Sequence, residues 1–277
     1  MSGTVLTDAA PLCTTCCRAG AAFEHCFTIS RCNFKGGAHS GLLTRAALFS
    51  RLHQHAWDNE NWPMQREPMH PVAARLLTTS VIPVLRLKTA VLAAQAIDCL
   101  VAAGFGTVEL TLTTPDAITL IRDLRSRMAP EFLVGAGTVL DLDTARACVD
   151  AGADYLVSPC LVPGLSALAH EHGRACLMGG FTPGEVLAAW RHGSDIVKVF
   201  PAGSGGPSHL GALHAVFPEI PLCPTGGVSV DNMDSYRRAG AVVVGVGNNI
   251  VDLPALEAGD RARVIEHAGR FLGRVQA

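Results

Sequence analysis

Charge is scarce in this chain of 277 residues. Asp, Glu, Lys and Arg together make up 17%, against about 25% in an ordinary soluble domain. The formal net charge is −2 and no long basic run occurs, which argues against a nucleic-acid partner. No apolar stretch reaches the roughly 18 residues that suggest a membrane span, so no membrane partner is expected. The amino terminus lacks a charged region followed by an apolar run and a small-residue cleavage site, and the expected location is the cytoplasm. No Gly-x-Gly-x-x-Gly follows the first strand, which counts against an open dinucleotide-binding sheet. What is plentiful is apolar, at 49% of residues. Buried parallel strands read as unbroken apolar runs and account for both the apolar excess and the low charge.

The ten cysteines fall into two groups. Cys99, Cys148, Cys160, Cys176 and Cys223 are scattered through apolar sequence and read as buried small hydrophobes or strand-end residues. Cys13, Cys16, Cys17, Cys26 and Cys32 crowd the first part of the chain, near His25 and His39. Their spacing matches no standard pairing of zinc-ligand doublets, and neither a metal nor a disulfide framework is expected. Residues 1–70 show no sustained period of 2 or 3.6, apart from a short helical pattern over residues 42–53. They read as a poorly ordered extension. A start codon placed too far upstream would look the same.

From about residue 72 apolar strands and helices alternate. Strands are expected at Val81-Ile-Pro-Val-Leu-Arg86, Val108-Glu-Leu-Thr-Leu112, Leu133-Val-Gly-Ala-Gly137, Tyr155-Leu-Val-Ser158, residues 174–178, Ile196-Val-Lys-Val-Phe200, residues 220–223 and residues 242–246. Helices are expected at residues 89–103, 115–128, 141–151, 163–172, 183–192, 208–217, 230–239 and 260–275. Strand–helix alternation implies a parallel sheet with helical crossovers. Eight such units predict an α/β fold of the (β/α)₈ barrel class over residues 71–277.

Strand parity locates the chemistry. Glu109, Thr111 and Thr113 share one face of their strand, with Val108, Leu110 and Leu112 on the other. The apolar face packs under helices, so the polar set points inward. The same logic turns Lys198 inward with Ile196 and Phe200. A lone charge there would be costly. Glu109 and Lys198 therefore read either as a buried ion pair, a poor device for stability, or as an amine nucleophile beside a proton-transfer group. Apolar surroundings favour the free amine that attacks a carbonyl, and Glu109 would then move protons. Glycine-rich strand ends form a second constellation. Backbone N–H groups of Gly226, Gly227, Gly247 and Asn248, after the seventh and eighth strands, are candidate phosphate donors. The bland reading is tight strand-to-helix turns. No cofactor is called for.

Four motifs in order, Val108-Glu-Leu-Thr-Leu112, Gly135-Ala-Gly-Thr-Val139, Lys198-Val-Phe-Pro-Ala202 and Pro224-Thr-Gly-Gly227, resemble the 2-keto-3-deoxy-6-phosphogluconate/4-hydroxy-2-oxoglutarate aldolase family over about residues 76–275. The resemblance implies a class I aldolase, usually a homotrimer. Such an enzyme cleaves a 2-keto-3-deoxy-6-phospho sugar acid to pyruvate and glyceraldehyde 3-phosphate, and in some members 4-hydroxy-2-oxoglutarate to pyruvate and glyoxylate. It makes Lys198 the Schiff-base lysine, Glu109 the acid/base carboxylate, Thr138 a contact of the pyruvyl group, and Pro159 and Phe200 pocket walls. Two positions depart from the pattern. Thr113 stands where members often carry the arginine that holds the substrate carboxylate, and Asn248 where the last glycine-rich motif often ends in serine. Relatives acting on the galactonate epimer also lack that arginine, so the epimer stays open. Arg86 is the other inward-reading cation at an early strand end. It is expected either to grip the carboxylate, with Thr111, Thr113 and Thr138 adding hydroxyls, or to pair with Glu109. Two other activities fit the same residues: a phosphosugar isomerase or epimerase using Glu109 without a covalent intermediate, and a non-catalytic phosphate-binding barrel.

Overall fold

The computed structural model describes residues 69–273. The expectations for the extension, the cysteine–histidine cluster and the helical pattern over residues 42–53 lie outside the described residues. The chain divides into two units, Met1–Met64 and Gln65–Ala277, and every element below belongs to the second.

Among the described residues, nine strand segments and ten α-helices follow one another in an α/β arrangement. The strands are β1 (Val81–Leu85), β2 (Thr107–Thr111), β3 (Leu133–Gly137), β4 (Tyr155–Val157), β5 (Ala175–Leu177), β6 (Gly179–Gly180), β7 (Val197–Val199), β8 (Leu222–Pro224) and β9 (Val244–Val246). The helices are α1 (Pro71–Thr79), α2 (Ala90–Ala102), α3 (Ala117–Arg127), α4 (Leu142–Asp150), α5 (Leu165–Glu171), α6 (Pro183–Arg191), α7 (Ala202–Val216), α8 (Met233–Arg238), α9 (Leu253–Glu257) and α10 (Arg261–Gly273). Eight strands were expected. The stretch over residues 174–178 runs further and is broken at Met178 into β5 and β6, which raises the number of segments by one.

All pairings are parallel. One sheet has six strands in the order β5-β4-β3-β2-β1-β9, and the other has β6-β7-β8. Isolated parallel bridges pair Leu222 with Ala241 and Thr225 with Gly245. Every strand residue is buried, as expected of parallel strands covered by crossover helices.

Alternation along each strand divides the core in two. Val108, Leu110, Val134, Ala136, Leu156, Cys176, Val197, Val199, Leu222 and Val244 pack with the helices. Ile82, Val84, Leu133, Tyr155, Val157, Ala175, Leu177, Ile196, Cys223 and Val243 pack together on the opposite face, joined by Ala73 and Leu76 of α1. α1 thus covers the inner face at the amino-terminal ends of the strands. It was not anticipated from the sequence.

Local signals start the helices where they begin. The Thr89 hydroxyl accepts Leu92 N–H before α2, and Asp141 accepts Thr144 N–H before α4. Thr182 and Glu185 form a reciprocal capping box around Pro183 before α6. The span given as α7 is two helical stretches joined at a kink: Gly206, with φ 67° and ψ −174°, is non-helical, and a side chain there would be strained. The stretch after the kink starts near residue 208, as expected, and only the short stretch from Ala202 before it, within the expected glycine-rich loop, was not anticipated.

Candidate active site

β2 and β7 carry the two central charges. Glu109 sits at the middle of β2 and Lys198 at the middle of β7, and both side chains turn to the inner face. Lys198 Nζ lies 3.3 Å from Glu109 Oε1. Their side chains are 7% and 3% exposed, so the pair is withdrawn from water and its geometry is not that of a surface ion pair. Lys198 Nζ also stands 5.7 Å from the centroid of the Phe200 ring.

Small residues make room for this pair. A Cβ at Gly137 would collide with the Glu109 carboxylate, so β3 passes close enough to wall it in only because that position is glycine. Gly179 is in register with Lys198, and a Cβ there would strike the Pro159 carbonyl. Cys223, in register with Lys198 on the other side, fills the adjoining space. Burial pushes its thiol up to about 11 against the opposing influences of Thr225 and Lys198, so it is a neutral neighbour near pH 7. From sequence Cys223 reads as a buried small hydrophobe or a strand-end residue, with no place beside the amine. Its parity with Thr225 was the signal that could have set it beside the amine.

Tyr155 closes the inner face on the amino-terminal side. Its ring lies where a Gly135 side chain would be, and its hydroxyl bonds with Thr107 Oγ1 at 2.9 Å. Burial holds the phenol well above its ordinary value, with the Thr107 bond opposing. Tyr155 and its inner-face neighbours fill the space on one side of the strands, and sites of this architecture form at the carboxy-terminal strand ends.

The remaining sequence-predicted residues gather at those ends. Thr111 Oγ1 donates to the Leu85 carbonyl at 2.9 Å and bonds with Thr113 Oγ1 at 2.9 Å. Thr138 follows Gly137 and holds a left-handed φ of 64°, a conformation that costs a β-branched residue about 1–3 kcal/mol. Its hydroxyl has no hydrogen-bond partner among the described residues. Phe200 lies against Gly226, and Gly203 N–H donates to the Gly226 carbonyl at 2.7 Å. The N–H groups of Gly226, Gly227 and Gly247 find no acceptor among the described residues. Arg86 lies just beyond β1, exposed and without an ion pair to Glu109, so of its two expected roles the pairing with Glu109 is not seen. Asn248 directs its carboxamide to the Arg86 backbone, and its own N–H, like those of the three glycines, finds no acceptor among the described residues. Among the described residues no group of three His, Cys, Asp or Glu side chains could hold a metal, and no helix is long and apolar enough to cross a membrane.

The chain is similar to known aldolases. The family model described as KDPG and KHG aldolase matches residues 72–267. The 2-dehydro-3-deoxy-phosphogluconate aldolase of Pseudomonas aeruginosa is 39% identical over 168 residues, 60% of this chain and 76% of its own. The KHG/KDPG aldolase of Escherichia coli K12 is 34% identical over 210 residues, 76% of this chain and 95% of its own. Among solved structures, a KDPG aldolase of Legionella pneumophila, with pyruvate captured at low pH as a covalent carbinolamine intermediate, superposes with a TM-score of 0.66. It is 30% identical, and the match covers 75% of this chain and 98% of that one.

Proposed function

The chain belongs to the KDPG and KHG aldolase family, and from that premise we propose the roles of its residues. It is a class I aldolase, a carbon–carbon lyase. Its substrate on this reading is a 2-keto-3-deoxy-6-phospho sugar acid, released as pyruvate and glyceraldehyde 3-phosphate. 4-Hydroxy-2-oxoglutarate, released as pyruvate and glyoxylate, is the second candidate. The observation that carries the assignment is the buried approach of Lys198 Nζ to Glu109 Oε1 at 3.3 Å.

The reaction follows from that pair. A proton leaves the Lys198 ammonium for Glu109, and the free amine attacks the C2 carbonyl to give a carbinolamine. Glu109 returns the proton to the departing hydroxyl, and loss of water leaves an iminium. The C3–C4 bond then breaks with its electrons flowing into the iminium, while Glu109 takes the proton of the C4 hydroxyl directly or through a water. The aldehyde leaves. Protonation of the resulting enamine at C3 and hydrolysis of the imine free pyruvate and restore Lys198. Thr138 touches the pyruvyl group, Pro159 and Phe200 wall the pocket, and Thr111 and Thr113 offer hydroxyls to the carboxylate. The unpaired N–H groups of Gly226, Gly227 and Gly247 cradle the phosphate. No cofactor or metal takes part.

The same reading treats the two sheets as one closed eight-stranded barrel. The Thr225–Gly245 bridge supports one seam, and the near-continuity of β5 with β6 supports the other. It makes residues 71–277 the complete catalytic unit, assembled as a cytoplasmic homotrimer. Isomerase and non-catalytic readings are not favoured by relatives that are named aldolases. The test is pyruvate release from 2-keto-3-deoxy-6-phosphogluconate and its galactonate epimer. Lys198→Arg should abolish release, because guanidinium keeps its charge and forms no imine. Release surviving in that variant refutes the role of Lys198.

A further inference from the structure

Asn248 and Arg86 are 162 positions apart, yet their contact is two-pointed. Arg86 N–H donates to Asn248 Oδ1 at 3.3 Å, and Asn248 Nδ2 donates to the Arg86 carbonyl at 3.0 Å. Both hydrogen-bonding ends of the carboxamide are therefore engaged by one residue's backbone. The contact ties the chain leaving β1 to the chain leaving β9, two strands already paired through Val81–Val244, Ile82–Gly245 and Pro83–Val246. Its effect is to fix where the Arg86 side chain starts. That guanidinium has no acceptor among the described residues, whereas the neighbouring cation, Lys88, is paired with Glu257. Arg86 is thus a free charge anchored on the Gly247 side of the mouth.

We infer that Asn248 is a positioning residue that clips Arg86 beside the glycine N–H groups of the β8 and β9 ends, so that Arg86 grips the phosphate end of the substrate rather than its carboxylate. This rests on reading those glycines as a phosphate cradle, and it reverses the expectation drawn from sequence for Arg86. Chemistry favours the exchange. The cradle supplies neutral N–H donors and, with the Asn248 side chain occupied, no side-chain donor of its own. An anion of charge near −2 is best completed by a guanidinium, whose fork matches phosphate oxygens. The carboxylate, at the other end of the substrate, is left to the Thr111–Thr113 hydroxyl pair and to Thr138.

The clip makes a prediction that general destabilisation does not share. Wild type, Arg86→Ala, Asn248→Ala and the double variant are compared in two titrations: glycerol 3-phosphate binding by calorimetry, an unreactive phosphate probe, and borohydride trapping of pyruvate. Arg86→Ala should weaken glycerol 3-phosphate binding by about tenfold or more, the scale of a lost hydrogen bond to a charged group. Asn248→Ala should weaken it less, in the same direction. The double variant should be no worse than Arg86→Ala alone, because Asn248 acts through Arg86. In each variant the shift for glycerol 3-phosphate should exceed that for pyruvate. Additive losses, a larger shift for pyruvate, or no glycerol 3-phosphate binding by wild type overturns the clip. Failure of wild type to trap pyruvate would instead refute the imine reading, and the calorimetric arm would still decide the clip.

Discussion

At the amino-terminal ends of the strands, buried polar groups are spent on one another. Asp154 pairs with Arg125 at 2.9 Å and accepts Val134 N–H at 2.8 Å. Asp195 accepts Cys176 N–H and pairs with His170, both at 2.8 Å. Thr107 serves both the Leu133 carbonyl and Tyr155. Arg174 Nε and His214 Nδ1 are buried without a hydrogen-bond partner among the described residues, although the Arg174 guanidinium still reaches Asp154 at 3.7 Å. At the carboxy-terminal ends the balance reverses. The Arg86 guanidinium, the Thr138 hydroxyl and three glycine N–H groups have no acceptor among the described residues, and the buried Lys198–Glu109 pair faces them. These donors are exposed or half-buried, so water can satisfy them and a ligand can displace that water, while the buried polar groups at the other end must be paired to hold the fold.

Substitutions at the two ends should therefore differ in kind. After the loss expected of Lys198→Arg, the largest effect is expected at Glu109. Glu109→Gln keeps the shape but not the proton transfer, and kcat should fall by roughly 10²–10⁴-fold, the range for a general acid–base group. Steady-state cleavage kinetics measure it, and a near-normal kcat would return Glu109 to a purely structural ion pair. A sharper contrast pairs Thr138→Gly with Tyr155→Phe. Relief of the left-handed φ should leave Thr138→Gly as stable as wild type or up to about 1 kcal/mol more stable, at the expense of kcat/KM. Tyr155→Phe should lose about 1 kcal/mol of stability with kcat/KM little changed. Urea melts and kinetics on the same samples decide it, and the opposite pattern would erase the distinction between the ends.

The amino-terminal end also carries a pH signature. His70 Nδ1 accepts Val72 N–H at the start of α1, and the imidazole stacks on His170, 5.5 Å away. Burial lowers its pKa below 6.5, with Asp195 opposing and His170 assisting. The folded state thus prefers neutral His70. That preference contributes stability above pH 6.5, and the contribution is lost as pH falls from 6.5 through the lowered value. Melting temperature should drop as pH falls below about 6.5, and His70→Asn, a good helix cap without the titration, should flatten the drop. An equal drop in the variant would assign the effect elsewhere. The smallest effect is expected from deleting residues 1–68, which should leave melting temperature and cleavage nearly unchanged in parallel scans if residues 71–277 are the whole catalytic unit.

Much of this organisation was legible in the sequence because strands carry a period of 2. Parity alone put Glu109 and Lys198 on the same face, with Val108, Leu110, Val197 and Val199 turned to the helices. Glycine-rich strand ends announced the mouth. The remainder was hidden for physical reasons. α1 is a short helix capped by an uncommon residue, His70, and no local pattern told it from the preceding chain. The short helical stretch from Ala202 before the kink was masked by glycines, which ordinarily break helices and do so at Gly206. Arg86 had the expected parity, but the neighbour that holds it comes from 162 positions away, and no local spacing predicts such a contact. Gly137 read as part of a motif, and only the three-dimensional approach of Glu109 explains why it has no side chain.

The central claim is that the free-donor end works through an imine on Lys198. Incubation with pyruvate and borohydride, followed by peptide mass mapping, tests it most directly. One reduced pyruvyl group should appear on the peptide containing Lys198, and none should appear in Lys198→Arg. A label on another lysine, or no label while cleavage proceeds, would contradict the account.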